Sequence, residues 1–253
     1  MFDSTIPFGE PELMRASRFL IHLPSAGGPA ASGIVSSGLA SLSPSLLADL
    51  QRCDGQEQRS EPLDVLAACV RHAQPVTVHL QYHDRVVPLT VFPHERLVHC
   101  PMPINDLLTH RQPQLQVIHI EAALRAAPGA MATQRLLSGP GPVTDLHPLG
   151  AALWHLALHG GRRELLPEIA GPAVYRVSFG LQMDDLSVTG ALLAAIQRLR
   201  HEPCHLRDIA DWPGFDRERA ARMLNALYLQ SGLIVSRSHP DALRESWFGA
   251  LGR

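Results

Sequence analysis

The alternation of apolar and polar positions is clearest between residues 61 and 120. Leu63, Leu66, Ala67 and Val70 recur at i, i+3, i+4 and i+7, one face of a helix over 62–72. Pro62 stands in the first turn, where a missing N–H costs nothing. Val76, Val78, Leu80 and Tyr82 then alternate with Thr77, His79 and Gln81, the period of a half-buried strand. His83-Asp84-Arg85 supplies a turn. Val87, Leu89 and Val91 make a second strand, and Pro88 argues for a sheet edge because proline cannot donate to a ladder. Leu97-Val98-His99 and residues 115–120 add a third and a fourth. The pattern predicts a helix followed by an antiparallel meander.

Either side of this block the pattern is weaker. In residues 1–60, Phe19-Leu20-Ile21-His22-Leu23 reads as a strand, 24–45 as a loop rich in Ser, Gly, Ala and Pro, and 45–52 as a short helix. Between 126 and 142 the composition shifts to Ala, Gly and Pro, and Gly139-Pro140-Gly141-Pro142 continues no regular element. Beyond this linker the chain reads as helical: 147–159 with Leu149, Leu153 and Leu156 on one stripe, and 188–200 with Leu192, Ala195, Ile196 and Leu199 buried. The last module runs short helix 206–212, turn Pro213-Gly214, and a long helix with Asp216 as its N-cap that ends at Gly232. Leu233-Ile234-Val235 follows as a strand. That is the element order of a winged helix-turn-helix. The expected fold is therefore α+β, a small antiparallel sheet with a helix (61–127), a Gly/Pro linker (128–144) and a mostly helical, winged-helix-like domain (145–253), after a poorly defined segment (1–60).

Composition narrows the chemistry. All 22 basic residues are arginine and none is lysine. This removes the phosphate-loop lysine, the Schiff-base lysine and the Ser–Lys dyad, and it fits a GC-rich, bacterial coding sequence. A net charge of −2 gives no general attraction to nucleic acid or anionic membrane. The start Met1-Phe2-Asp3 has no signal-peptide pattern and no apolar run reaches membrane-spanning length, so a cytoplasmic protein without a membrane span is expected. Cys53, Cys69, Cys100 and Cys204 lack CxxC spacing and read as buried free thiols.

Several clusters nevertheless bear on function. On the winged-helix reading, the long helix and the wing would offer Arg217, Arg219, Arg222, Asn225 and Arg237 to phosphates and base edges. Asp216 and Glu218 lie among them, and a solvated face on an interaction module is the simpler account. Asp185-Leu186-Ser187-Val188-Thr189-Gly190 resembles the DxSxxG string of PilZ domains, which implies cyclic di-GMP binding through Asp185, Ser187 and Gly190. The RxxxR motif that accompanies that string is missing from the chain, and Asp185 or Ser187 as a helix cap explains the residues more simply. His155 and His159 share a helix face, but Leu156 stands where a zincin has glutamate. His201, Cys204 and His205 crowd one loop without facing ligands. There is no GxSxG elbow and no GxGxxG after a strand, and Cys100 beside His99 is adjacency without geometry.

Residues 61–108 resemble the PATAN-type bacterial regulatory domain. The likeness rests on the opening helix Pro62-Leu63-Asp64-Val65-Leu66, on the strands at 76–82 and 86–92, and on the short strand Arg96-Leu97-Val98-His99-Cys100. The family has glycine where this chain has Pro75 and His94-Glu95. The resemblance implies a non-catalytic adaptor of bacterial signalling, associated with response regulators, small Ras-like GTPases or surface motility, and it carries over no catalytic residues. The expectation is a regulatory protein, not an enzyme and without cofactor or metal. It would act on a protein partner and could form a homodimer; the apolar tail around Trp247-Phe248 is either a docking point or, more simply, a tail folded back onto the core. A DNA-binding transcriptional regulator is the alternative and cyclic di-GMP binding a third.

Overall fold

The computed structural model describes residues 13–22, 42–54, 61–102, 104, 107, 115–123, 146–183, 186 and 188–237. The linker, most of the loop at 24–45, and Asp185, Ser187, His239 and Trp247-Phe248 lie outside them. The chain divides into two compact units, Met1–Ala152 and Leu153–Arg253. Both mix helices with antiparallel sheet, as the α+β expectation has it.

The first unit is built on a five-stranded sheet, β1 (Val76–Tyr82), β2 (Arg85–Phe92), β3 (Leu97–His99), β4 (Gln116–Ala122) and β5 (Leu146–Pro148), in the order β4-β1-β2-β3-β5. Val78 pairs with Leu89 and Ile120, and Leu80 with Val87 and Val117, so the apolar set of the alternation falls in register across three strands and is buried. Pro88 does not mark an edge strand. β2 lies in the middle of the sheet, and the proline is accommodated because β3 reaches only Thr90 to Phe92. The uncovered start of β2 is met instead by residues 14–16, where Val86 N–H donates to Met14 O at 2.8 Å and Ala16 N–H to Asp84 O at 2.7 Å.

That contact uses up the extended stretch, and the chain turns helical straight after it. Residues expected as a strand from Phe19 are helix α1 (Ala16–His22). Helices α2 (Pro44–Asp54) and α3 (Pro62–Arg71) pack together with Leu46, Leu50, Leu63 and Leu66 buried. Asp49 ties the pair by accepting from Arg71 Nη1 at 2.5 Å and contacting His72 Nε2 at 2.8 Å. The His72 hydrogen bond and the cations Arg71 and Arg52 outweigh burial and hold the Asp49 carboxyl below its ordinary range.

Helix α4 (Leu149–His159) begins two residues later than expected, because 146–148 complete the first sheet as β5. The second unit continues with β6 (Val174–Val177), α5 (Gly190–His201), β7 (Cys204–His205), α6 (Leu206–Ala210), α7 (Arg217–Leu229) and β8 (Leu233–Ser236). Asp216 caps α7 as expected, its Oδ1 accepting from Arg219 N–H at 2.7 Å. Its three-stranded sheet has the order β7-β6-β8. The central strand β6, unforeseen from the pattern, precedes the helices. β8 pairs backward with β6, and the strand that would complete a wing hairpin after β8 falls beyond residue 237, outside the described residues.

Candidate functional site

Helix α7 was the candidate reading element, and its side chains decide what it can reach. Eight of its 13 residues are buried, including Ala220, Ala221, Met223, Leu224 and Leu227. A helix that enters a groove keeps one face free; here only the first turn, with Arg217 and Arg219, stands in solvent. Asn225 is fully buried. Its Oδ1 accepts from Leu166 N–H at 2.8 Å and its Nδ2 donates to Glu164 O at 3.0 Å. Asn225 therefore cannot read a base edge from this position.

The other candidates are held as well. Arg222 donates from Nη1 to Leu158 O at 2.9 Å, satisfying a carbonyl in the last turn of α4, and pairs with Glu218 at 2.9 Å. Arg237 donates from Nη2 to Glu168 O at 2.7 Å. Arg219 donates to Gly214 O at 2.7 Å and lies over the Phe215 ring. Arg217 alone of the five has no hydrogen bond or ion pair among the described residues.

Three of the five thus serve one purpose. The segment 158–170 leaves α4 and runs irregularly to β6, so its backbone groups have no ladder to join. Asn225, Arg222 and Arg237 supply the missing partners. Tyr175 adds another from β6, its hydroxyl donating to Ile169 O at 2.7 Å, and Arg162 donates to Leu165 O at 2.6 Å. These side chains staple a segment of their own fold.

The remaining expected clusters are occupied or outside view. Gly190 opens α5 with φ of +59°, a conformation glycine favours, and Thr189 rather than Asp185 or Ser187 takes the N-cap position. Asp185 and Ser187 lie outside the described residues. His155 and His159 stack at 4.5 Å, and burial, then His155 and Arg222, push His159 below its ordinary range. His205 Nδ1 contacts Ala173 O at 3.0 Å, and Cys204 Sγ donates to Glu202 O at 3.6 Å. Among the described residues no three His, Cys, Asp or Glu side chains form a set able to hold a metal ion. Burial pushes the Cys69 thiol up to about 12 and raises Cys204 too, so neither offers a thiolate near neutral pH.

Two features escaped the sequence reading. The first is a buried polar face on the first sheet. Glu121, Thr77, Thr90 and His99 form one row across four strands, with His119 and His79 paired in the next row. His79 Nε2 contacts Glu121 Oε1 at 2.6 Å, the Thr77 and Thr90 hydroxyls lie 3.1 Å apart, and Phe19 of α1 stacks on His79 at 4.7 Å. Burial, then the neighbouring His79, lower the His119 pKa, and its buried Nδ1 has no hydrogen-bond partner among the described residues. The alternation did contain this row, since its polar positions share a face by definition.

The second is the outer surface of the second unit. Phe179 is 60 % exposed, Ile234 47 % and Leu193 38 %. Arg176 lies 5.3 Å over Phe179, His201 meets the same ring edge-on at 5.5 Å, and Arg198 lies 4.6 Å over Trp212. An exposed Phe179 braced by an arginine, with exposed Ile234 on the neighbouring strand, has the composition of a protein contact site. The absent β6 prediction hid this surface, because Arg176 and Phe179 belong to it.

No protein-family model matches the chain. No curated protein and no solved structure matches it significantly. Among the described residues no helix is long and apolar enough to cross a membrane.

Proposed function

We propose that this chain is a non-enzymatic regulatory or adaptor protein of bacterial signalling that works by binding another protein. The observation that carries the proposal is the contrast within the second unit. Its arginine-bearing helix is spent on the unit's own core and on the 158–170 backbone, while large apolar side chains remain outside with arginines laid over them. The protonated, buried thiols support a non-catalytic role. The helix, two strands and short third strand over 62–99 follow the order of a PATAN-type regulatory domain, and this supports response regulators, motility proteins or small GTPases as the company it keeps.

The test is affinity capture on the full chain from lysate of the native bacterial host. Each retained protein is then purified and titrated against the chain by calorimetry. A partner binding with micromolar or tighter Kd supports the proposal; failure of every retained protein to bind when purified refutes it.

The second reading is a winged-helix DNA-binding regulator, favoured by the order α6, turn, α7, β8 and by Arg217 standing free beside Arg219. A gel shift against genomic fragments at moderate salt tests it. Affinity lost in an Arg217→Ala, Arg219→Ala double variant supports DNA binding, and no shift with the wild-type protein removes it.

A further inference from the structure

Two of the apolar groups exposed on the second unit, Phe179 and Ile234, share Arg176 of β6 as a neighbour. Arg176 pairs across the strands with Ile234, so these two side chains share one face of the sheet, and Arg176 also lies over Phe179. Arg176 thus has exposed Phe179 under its guanidinium and exposed Ile234 as its cross-strand neighbour. That guanidinium is held in place, since Arg176 Nε donates to Arg200 O at 3.3 Å. Arg200 is fixed in turn, donating from Nη2 to Leu181 O at 3.0 Å. His201 closes the group against the Phe179 ring.

The charge here is one-sided. Among the described residues neither Arg176, Arg200 nor His201 is paired with a carboxylate, and Glu202, the next residue along, is held by Arg198 at 2.8 Å. The surface therefore presents fixed positive charge beside two exposed apolar side chains. Its complement is a segment carrying a carboxylate between apolar side chains. A nucleic acid fits less well. Exposed Ile234 offers nothing to a phosphate, and the unit from 153 to 253 holds 12 arginines against 11 acids, not a concentrated basic face.

We propose that the Phe179–Arg176–Ile234 surface is the docking site for an acidic and apolar segment of a partner protein. This rests on the protein-contact reading above and specifies it. Arg176 receives the carboxylate, while Phe179 and Ile234 pack against the flanking apolar side chains. The preset position of Arg176 lowers the entropy that such a contact costs.

The test uses the full chain, immobilised, and a phage library of random 16-residue peptides. Enriched peptides are synthesised and titrated by fluorescence polarisation at two salt concentrations. The proposal expects enrichment of Asp or Glu next to Phe, Leu or Ile. It expects at least tenfold weaker binding by Phe179→Ala, and weaker, less salt-dependent binding by Arg176→Gln, with both variants melting like the wild type. A variant that melts lower is replaced by Ile234→Ser, which must weaken binding in the same way. No enrichment, neutral or basic consensus peptides, or affinity unchanged in the variants overturns the proposal. So does loss of self-association or of oligonucleotide binding, and not of peptide binding, in Phe179→Ala. A purified host partner that binds the Phe179→Ala chain as tightly as the wild type sinks this site alone and leaves the adaptor function standing.

Discussion

Asn225→Ala separates the two roles that this residue could have. In the wild type the Asn225 side chain joins Leu166 N–H and Glu164 O, 2.8 and 3.0 Å away. Alanine removes both partners at once. Leu166 is 1 % exposed, so its N–H is left buried and unsatisfied, at about 1–3 kcal/mol. Glu164 is exposed and its carbonyl can turn to water, which limits that loss to about 0.5–1.5 kcal/mol. Together these give about 1.5–4.5 kcal/mol. For a unit of this size each kcal/mol moves Tm by about 4–8 °C, so a fall of at least about 6 °C is expected. All three tryptophans, Trp154, Trp212 and Trp247, lie within 153–253, so their fluorescence follows this unit without contribution from the first. Asn225→Asp keeps the acceptor but sets a buried carboxylate against the Glu164 carbonyl, and it melts no higher than the alanine variant. A fall below about 2 °C in Asn225→Ala refutes the stapling account. A helix that read DNA through Asn225 would give the reverse result, with unchanged melting and lost affinity.

Four further outcomes follow from the same structure. Tyr175→Phe strands the Ile169 carbonyl that its hydroxyl reaches at 2.7 Å, and a urea titration followed by tryptophan fluorescence shows a loss of about 1–2 kcal/mol. Gly160→Ala would set a Cβ 2.4 Å from the Leu156 carbonyl oxygen, and the same titration shows about 1–3 kcal/mol lost. Asp49→Asn weakens the contacts to Arg71, His72 and Arg52, and calorimetry shows the first unit destabilised by about 1–3 kcal/mol at pH 7. His119 and His159 are both held below their ordinary range, so the folded chain binds protons less readily than the unfolded one. Stability is level above about pH 7 and declines as pH falls through about 6.5 toward the folded values; His119→Gln flattens the decline of the first unit and His159→Gln that of the second, as thermal melts from pH 5 to 8 check.

Periodicity located what periodicity can locate. Strands β1 and β2 were legible because seven and eight residues of alternation fix both faces, and α3 because its apolar stripe is complete. β5, three residues long, runs straight into a helical pattern, and β6, with four, stands alone among turn residues, so neither establishes a period. Phe19-Leu20-Ile21 has strand composition, yet residues 14–16 already occupy the open place beside β2 and the chain continues from there as helix α1. At the candidate site the limit was different in kind. Identity reveals that Arg222, Asn225 and Arg237 carry donors but not which acceptors they meet. A basic helix that reads DNA and one that holds its own fold together can share a composition. What distinguishes them lies elsewhere in the chain: Gly160-Gly161, Pro167 and Gly171-Pro172 break every regular element between α4 and β6. A segment so interrupted, yet carrying Leu165, Leu166 and Ile169 into the core, must bury carbonyls and N–H groups that have no ladder. Donors and acceptors on the nearest helix are then needed at home before any are available to a ligand.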